Sequence, residues 1–181
     1  AKPSRQQPRP RRHGRRRMKL HFLGLPSEER RLYIEQATIK SNISPVVLEK
    51  DFWVCWTLNL LNEIPELKGN ITFKGGTSLS KAWGLIERFS EDIDLAIDAA
   101  FFGFKGELGK NQRDKLRKAA GVYTTGTFFG ALQQEFKKRG YNNLDFKVID
   151  TGESDQDPRV IEIFYPNVII SSSEYIFPRV Q

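Results

Sequence analysis

The 181-residue chain has one cysteine, two histidines and no long apolar run. The lone Cys55 cannot form an internal disulfide and has no C-x-x-C partner, which excludes a disulfide scaffold and a thiolate zinc site. No apolar stretch reaches the roughly 20 residues that cross a bilayer, and the N-terminus lacks the apolar core of a signal peptide. We therefore expect a soluble cytoplasmic protein without membrane contact, and its length suits one domain.

The formal net charge of +7 is distributed unevenly along the chain. Residues 1–17 contain eight of the basic residues and no acidic one, so the remainder is close to neutral. This proline- and arginine-rich segment has no periodic apolar positions, which predicts a disordered basic tail able to bind nucleic-acid phosphates. A second interpretation is that the tail is not native, because Met18 follows it like an initiator and the domain would then span residues 18–181.

Hydrophobic periodicity predicts both helices and strands along the rest of the chain. The predicted helices occupy residues 28–43, 45–63, 77–87, 110–118 and 127–138. The second helix is apolar nearly all round, which indicates burial against a sheet. The predicted strands occupy residues 71–74, 92–98, 143–150 and 159–165, with a further strand beginning within 175–181. The strands at 143–150 and 159–165 are expected to form an antiparallel hairpin with a long connection.

The strand at residues 92–98 carries a pair of acidic residues. Because side chains alternate along a strand, Asp92 and Asp94 point away from the side occupied by Ile93. Their Cα atoms lie about 7 Å apart, so the carboxylates can converge on a divalent cation. Oxygen ligands favour Mg²⁺ or Mn²⁺, and the scarcity of histidine argues against zinc. Acidic pairs are more often a solvated strand face, so the motif by itself leaves both interpretations open.

Gly75 and Gly76 stand where the strand at 71–74 becomes a helix. Backbone N–H groups and the helix dipole can receive a phosphate there, with the Thr77 hydroxyl as a further donor. The alternative is that two glycines merely permit a tight turn. The G-x-x-x-x-G-K-[ST] pattern of a P-loop is absent. A phosphate cradle followed by two carboxylates indicates nucleotide chemistry.

The run ITFKGGTSLSKAWGLIERFSEDIDLAI, residues 71–97, closely resembles the AbiEii/AbiGii toxin family of nucleotidyltransferases, a branch of the DNA polymerase beta-like superfamily. That family pairs a Gly-Gly-Thr or Gly-Ser turn with an Asp-x-Asp strand, and its upstream helix reads like LEKDFWV, residues 48–54 here. The resemblance extends over residues 26–181 and is loose beyond residue 100. It implies an α+β fold with a polymerase beta-like core, in which a mixed or antiparallel sheet is packed by helices on one side.

The resemblance also implies a reaction and the residues that perform it. Asp92 and Asp94 would hold two metal ions while an acceptor hydroxyl attacks the α-phosphorus of a nucleoside triphosphate and expels pyrophosphate. Six residues would contact the phosphates or the base: Gly75, Gly76, Thr77, Lys74, Lys81 and Ser90. A solvated surface role suits the two lysines equally well, and the serine alternatively caps the turn.

A third metal-binding carboxylate is expected from a neighbouring strand, as in the rest of the superfamily. The ending EYIFPRVQ resembles the family's segment leading into that strand, so the acid is expected past residue 181 and the domain is expected to be incomplete at its C-terminus. Within the chain, Glu162 is the best substitute as a metal ligand, followed by Asp145. Acids on hairpin strands are nevertheless usually solvated.

Two hypotheses about function follow. The first is a Mg²⁺-dependent nucleotidyltransferase that moves a nucleoside monophosphate from an NTP to a hydroxyl of RNA, such as tRNA, or of a protein. It would act as the toxin of a bacterial toxin–antitoxin or abortive-infection pair, with a cognate antitoxin as partner. The alternative is a catalytically incompetent fragment of the same fold that binds nucleotide or RNA, using the basic tail or the helix at 110–118 for phosphate contacts.

Overall fold

A computed structural model of the chain describes residues 22–78, 92–142, 144–149, 159–170 and 176–181. Within these ranges the helices are α1 (Ser27–Ser41), α2 (Pro45–Leu61), the short α3 (Gly75–Thr77), α4 (Lys110–Tyr123) and α5 (Phe129–Lys138). The strands are β1 (Ile71–Lys74), β2 (Asp94–Ile97), β3 (Asp145–Ile149), β4 (Val160–Phe164) and β5 (Arg179–Val180). The α+β class predicted from the sequence is confirmed.

The described strands form two antiparallel ladders that meet edge to edge. One ladder pairs β1 with β2, and in the other β4 lies between β3 and β5. The N–H of Ile93, just before β2, donates to the backbone oxygen of Gln181, just after β5, at 2.7 Å. This bond makes the start of β2 a neighbour of the end of β5.

Helix α2 forms the centre of the hydrophobic core, as its composition predicted. Trp53 is only 2% exposed and stacks on Tyr165 with ring centroids 5.2 Å apart. Ile93 and Leu95, from the segment that includes β2, pack against the same cluster. The helix therefore covers the apolar side of the strands. Despite this apolar character, no helix in the described part of the chain is long and apolar enough to cross a membrane.

Helix α1 differs from the prediction in the side that it buries. The spacing of Leu32, Ile39 and Ile43 predicted one apolar face, but all three are exposed and Ile34 is the buried residue of this helix. At about 100° per residue, Ile34 lies on the opposite side of the helix from that stripe. Helix α1 packs against α2 through the side that carries Ile34, and the spacing of apolar residues does not indicate this side. The predicted cap Ser27 is instead the first helical residue, after Pro26.

The helix predicted at 110–118 extends to Tyr123, and the helical run then continues without a break into the helix predicted at 127–138. A π-helical turn at Thr124–Phe128 joins α4 directly to α5. The predicted stop at Gly140 is confirmed, because this residue has a φ of 90°, which favours glycine. The antiparallel pairing of β3 with β4 confirms the hairpin.

Ion pairs connect α5 to the end of α2. Arg139 donates to Glu135, one turn earlier, at 2.7 Å, and also to Glu63, which follows α2. A hydrogen bond from Lys138, which has the largest effect, and a second one from Arg139 lower the pKa of the Glu135 carboxyl. The folded state therefore favours the charged form of Glu135.

This preference makes stability depend on pH. Glu135 stabilises the fold above its ordinary pKa, and the contribution is lost as the pH falls through the lowered value. We expect Glu135→Gln to lower the free energy of unfolding by about 0.5–1 kcal/mol at neutral pH, and the deficit to disappear in acid. Urea unfolding across pH measures this, with Glu107→Gln at an exposed loop position as control. A deficit that is the same at every pH would contradict the assignment.

Candidate active site

The pairing of β1 with β2 brings the glycine turn against one of the two aspartates. Lys74, the last residue of β1, lies opposite Asp94, the first residue of β2. Gly75 follows with a φ of 69°, in the left-handed region that favours glycine. A Cβ atom built on Gly75 would lie 1.8 Å from Oδ2 of Asp94 and 2.7 Å from its carboxyl carbon. The carboxylate thus lies against the glycine backbone, in space that a side chain would fill.

Asp94 faces away from the hydrophobic core. Its neighbours Ile93 and Leu95 pack against the core, and alternation places Asp94 on the other side of the strand, where it is exposed. Asp92 is exposed as well. The strand was predicted to start at Asp92 but starts at Asp94, because the partner strand ends at Lys74 and the chain there turns into α3.

The structure describes only some of the other residues that were predicted to contact phosphate. Lys74 is exposed and lies directly opposite Asp94 in the ladder, where the Cβ atoms of paired residues are about 5 Å apart. Gly76 and the backbone of Thr77 belong to the helical turn α3. Lys81 and Ser90 lie outside the described residues, as does most of the helix predicted at 77–87. The roles of these residues remain predictions.

Glu162 is placed in a different environment from the two aspartates. It lies within β4, is 2% exposed, and its Oε1 atom is 2.8 Å from an Arg179 guanidinium nitrogen and 3.0 Å from the Gln181 side-chain amide. In the part of the chain that the structure describes, no group of three or more His, Cys, Asp or Glu side chains could hold a metal ion. The structure therefore does not bring Glu162 together with Asp92 and Asp94. Asp145, the next substitute, is exposed on β3.

Sequence reasoning missed the ion pair between Arg179 and Glu162. The two residues are far apart in the sequence, and only the register of β4 with β5, which sets Phe164 opposite Arg179, brings them together. Arg179 lies within the strand predicted at 175–181, but nothing in the sequence spacing indicates its partner.

The residues present fit a hard divalent cation. Asp92 and Asp94 are both exposed residues, and their carboxylate oxygens are the donors that Mg²⁺ and Mn²⁺ prefer. Because Gly75 has no side chain, the Asp94 carboxylate can lie directly against its backbone. The glycine turn and the acidic pair thus lie at the same end of the β1–β2 ladder.

Comparison with known proteins identifies the family. The family model described as nucleotidyl transferase AbiEii toxin, type IV TA system, matches residues 59–179, well over half of the chain. A search of curated proteins and a search of solved structures each gave no significant match. The matched region contains the glycine turn, both aspartates and Glu162, and it confirms the resemblance read from residues 71–97. The chain therefore belongs to the AbiEii family of nucleotidyltransferase toxins of type IV toxin–antitoxin systems.

Proposed function

We propose that this chain transfers a nucleoside monophosphate from an NTP to a hydroxyl group of an RNA, such as tRNA, or of a protein. Membership of the AbiEii family supports a nucleotidyltransferase role in a toxin–antitoxin system. The observation that carries the proposal is the contact between Gly75 and the Asp94 carboxylate, since it brings the glycine turn and the acid next to each other. We further propose that the protein acts in the cytoplasm and has a cognate antitoxin as partner.

We assign Mg²⁺ or Mn²⁺ to the carboxylates of Asp92 and Asp94. When bound, such ions neutralise the charge that develops on the attacking and leaving oxygens of a phosphoryl transfer. Pairing of Asp94 with Lys74 across the ladder fixes the backbone that carries one ligand. That preorganisation reduces the rearrangement needed when the substrate binds.

The glycine turn is assigned to the triphosphate. Without Cβ atoms, Gly75 and Gly76 allow phosphate oxygens to approach the backbone N–H groups, and Lys74 supplies a positive charge beside them. The acceptor hydroxyl loses its proton to solvent and its oxygen bonds to the α-phosphorus, while the bond from that phosphorus to the oxygen bridging to the β-phosphate breaks and pyrophosphate leaves. Thr77, Lys81 and Ser90 are proposed as further contacts to the nucleotide, on the basis of the family resemblance.

The Gly75→Ala variant tests whether the turn and Asp94 act together. The added methyl group would collide with Oδ2 of Asp94 and displace the carboxylate. A displacement of about 1 Å in a catalytic group can cost about a hundredfold in rate, and we expect a loss of at least about that size. The measurement is transfer of label from α-phosphate-labelled NTPs to total bacterial RNA or to protein, with Mg²⁺ or Mn²⁺ present.

Gly69→Ala is the matched control. Gly69 also has a left-handed φ, 84°, but nothing lies within 4 Å of an added Cβ, so alanine there imposes strain without a collision. We expect this variant to transfer label nearly as well as the wild type. Equal losses in the two variants would contradict the assignment. A wild-type chain that binds NTP without transferring label would favour the binding-fragment alternative.

A further inference from the structure

We propose that Glu162 and Arg179 act as a positioning clamp, which holds the Asp92–Asp94 segment in the geometry that binds metal. This inference rests on the proposed function, because it concerns the same metal site. It assigns Glu162 a role different from the metal ligand predicted from the sequence: its carboxylate would act through the neighbouring strand rather than touch the cation.

The first step is the contact set around Glu162. The register of β4 with β5 pairs Ile163 with Val180, which places Glu162 beside Gln181. The Gln181 side-chain amide donates to Oε1 of Glu162 at 3.0 Å, and the Arg179 guanidinium approaches the same oxygen at 2.8 Å. Glu162 therefore holds both Arg179, the first residue of β5, and Gln181, which follows this strand.

The second step leads from β5 to the aspartates. The backbone oxygen of Gln181 accepts a hydrogen bond from the N–H of Ile93 at 2.7 Å. Ile93 lies between Asp92 and Asp94, and the pairing of β2 with β1 begins only at Asp94. The peptide between the two aspartates is thus held from the β5 side. The position of Gln181 sets the position of Ile93, and with it the spacing of the two carboxylates.

The third step is energetic. Glu162 is 2% exposed, and a buried carboxylate is tolerated only when it is paired. Arg179 supplies the pairing charge and lies 5.1 Å from the centre of the Phe177 ring, which restricts its guanidinium. Removing either partner breaks this ion pair at the edge that holds Gln181. Outer residues that orient metal ligands typically change metal affinity by about 10–100-fold when they are lost.

The two possible roles of Glu162 give opposite predictions for Arg179. If Glu162 were a metal ligand, Arg179 would compete with the cation for its carboxylate, and removing Arg179 would tighten metal binding. If Glu162 positions β5, removing Arg179 loosens the clamp and weakens metal binding. The sign of the effect therefore distinguishes the roles.

The experiment is a calorimetric titration of the full chain with Mn²⁺, accompanied by thermal unfolding of each variant. We expect Glu162→Ala and Arg179→Met to raise the Mn²⁺ dissociation constant by about tenfold. Glu162→Gln keeps an acceptor for Gln181 and should restore most of the affinity lost in Glu162→Ala. Lys147→Met is the matched control, because the exposed Lys147 lies directly opposite Glu162 on the β3 side, away from Gln181. It should leave Mn²⁺ binding unchanged.

Three results would overturn the clamp: tighter Mn²⁺ binding in Arg179→Met, equal losses in Glu162→Gln and Glu162→Ala, or a lower melting temperature with unchanged Mn²⁺ affinity. If Glu162→Ala does not fold, the Mn²⁺ affinities of Arg179→Met and Glu162→Gln still test the clamp. Asp94→Asn separates this inference from the proposed function. Unchanged Mn²⁺ binding in Asp94→Asn would contradict the proposed metal site itself. Loss of Mn²⁺ binding in Asp94→Asn together with unchanged binding in Arg179→Met would overturn only the clamp.

Discussion

The Asp94→Asn variant is expected to lose nucleotide transfer by about a thousandfold while folding as well as the wild type. Replacing the carboxylate by an amide of the same shape removes a charged metal ligand, and with it stabilisation of the charge that develops in the transition state. Folding should not suffer, because Asp94 is exposed. Removing its charge also relieves its repulsion with Asp92.

Transfer of labelled nucleotide, Mn²⁺ titration and thermal unfolding together measure this effect. Asp98→Asn is the control, at the residue that directly follows β2. The Asp98 carboxylate accepts a hydrogen bond from the Ala100 N–H at 2.9 Å, and asparagine caps such a turn about as well as aspartate. We expect normal transfer in Asp98→Asn. Equal activity of wild type and Asp94→Asn with Mg²⁺ present would refute the proposed role of Asp94.

Trp53→Ala is expected to have the largest effect on stability. Trp53 lies at the centre of the core, where it stacks on Tyr165 and makes edge contacts with Trp56 and Tyr141. Truncating a buried tryptophan removes these contacts and leaves a cavity, which costs about 3–5 kcal/mol. A domain of ordinary stability has only about 5–15 kcal/mol in total, so we expect a protein on the margin of unfolding.

Urea unfolding of the variant measures this loss. Ile39→Ala provides the contrast, since Ile39 is 83% exposed and its truncation should change the free energy of unfolding by less than about 0.5 kcal/mol. Similar small losses in both variants would show that Trp53 is not at the centre of the core. A similar large loss in both would show that α1 is packed differently.

Local sequence patterns predicted the secondary structure well where the conformation of a segment depends mainly on its own residues. The strand Ile71–Lys74 agrees residue for residue with the prediction, and α2 begins at Pro45 because proline suits the first helical turn. The face of α1 was not predictable in this way. Ile34 is buried because α2 lies on its side of the helix, and the more prominent stripe of Leu32 and Ile39 is left exposed.

The sequence by itself determined the chemistry available to this protein: two aspartates with oxygen donors, a pair of glycines after a strand, and membership of a nucleotidyltransferase family. It did so because residue types, short-range spacings and family motifs can be recognised within short stretches of the sequence. Only the tertiary structure decided that Asp94 lies against Gly75, and that Glu162 is bonded to Arg179 and Gln181 instead of joining the aspartates. Those neighbours are set by strand register, which depends on contacts between segments distant in the chain.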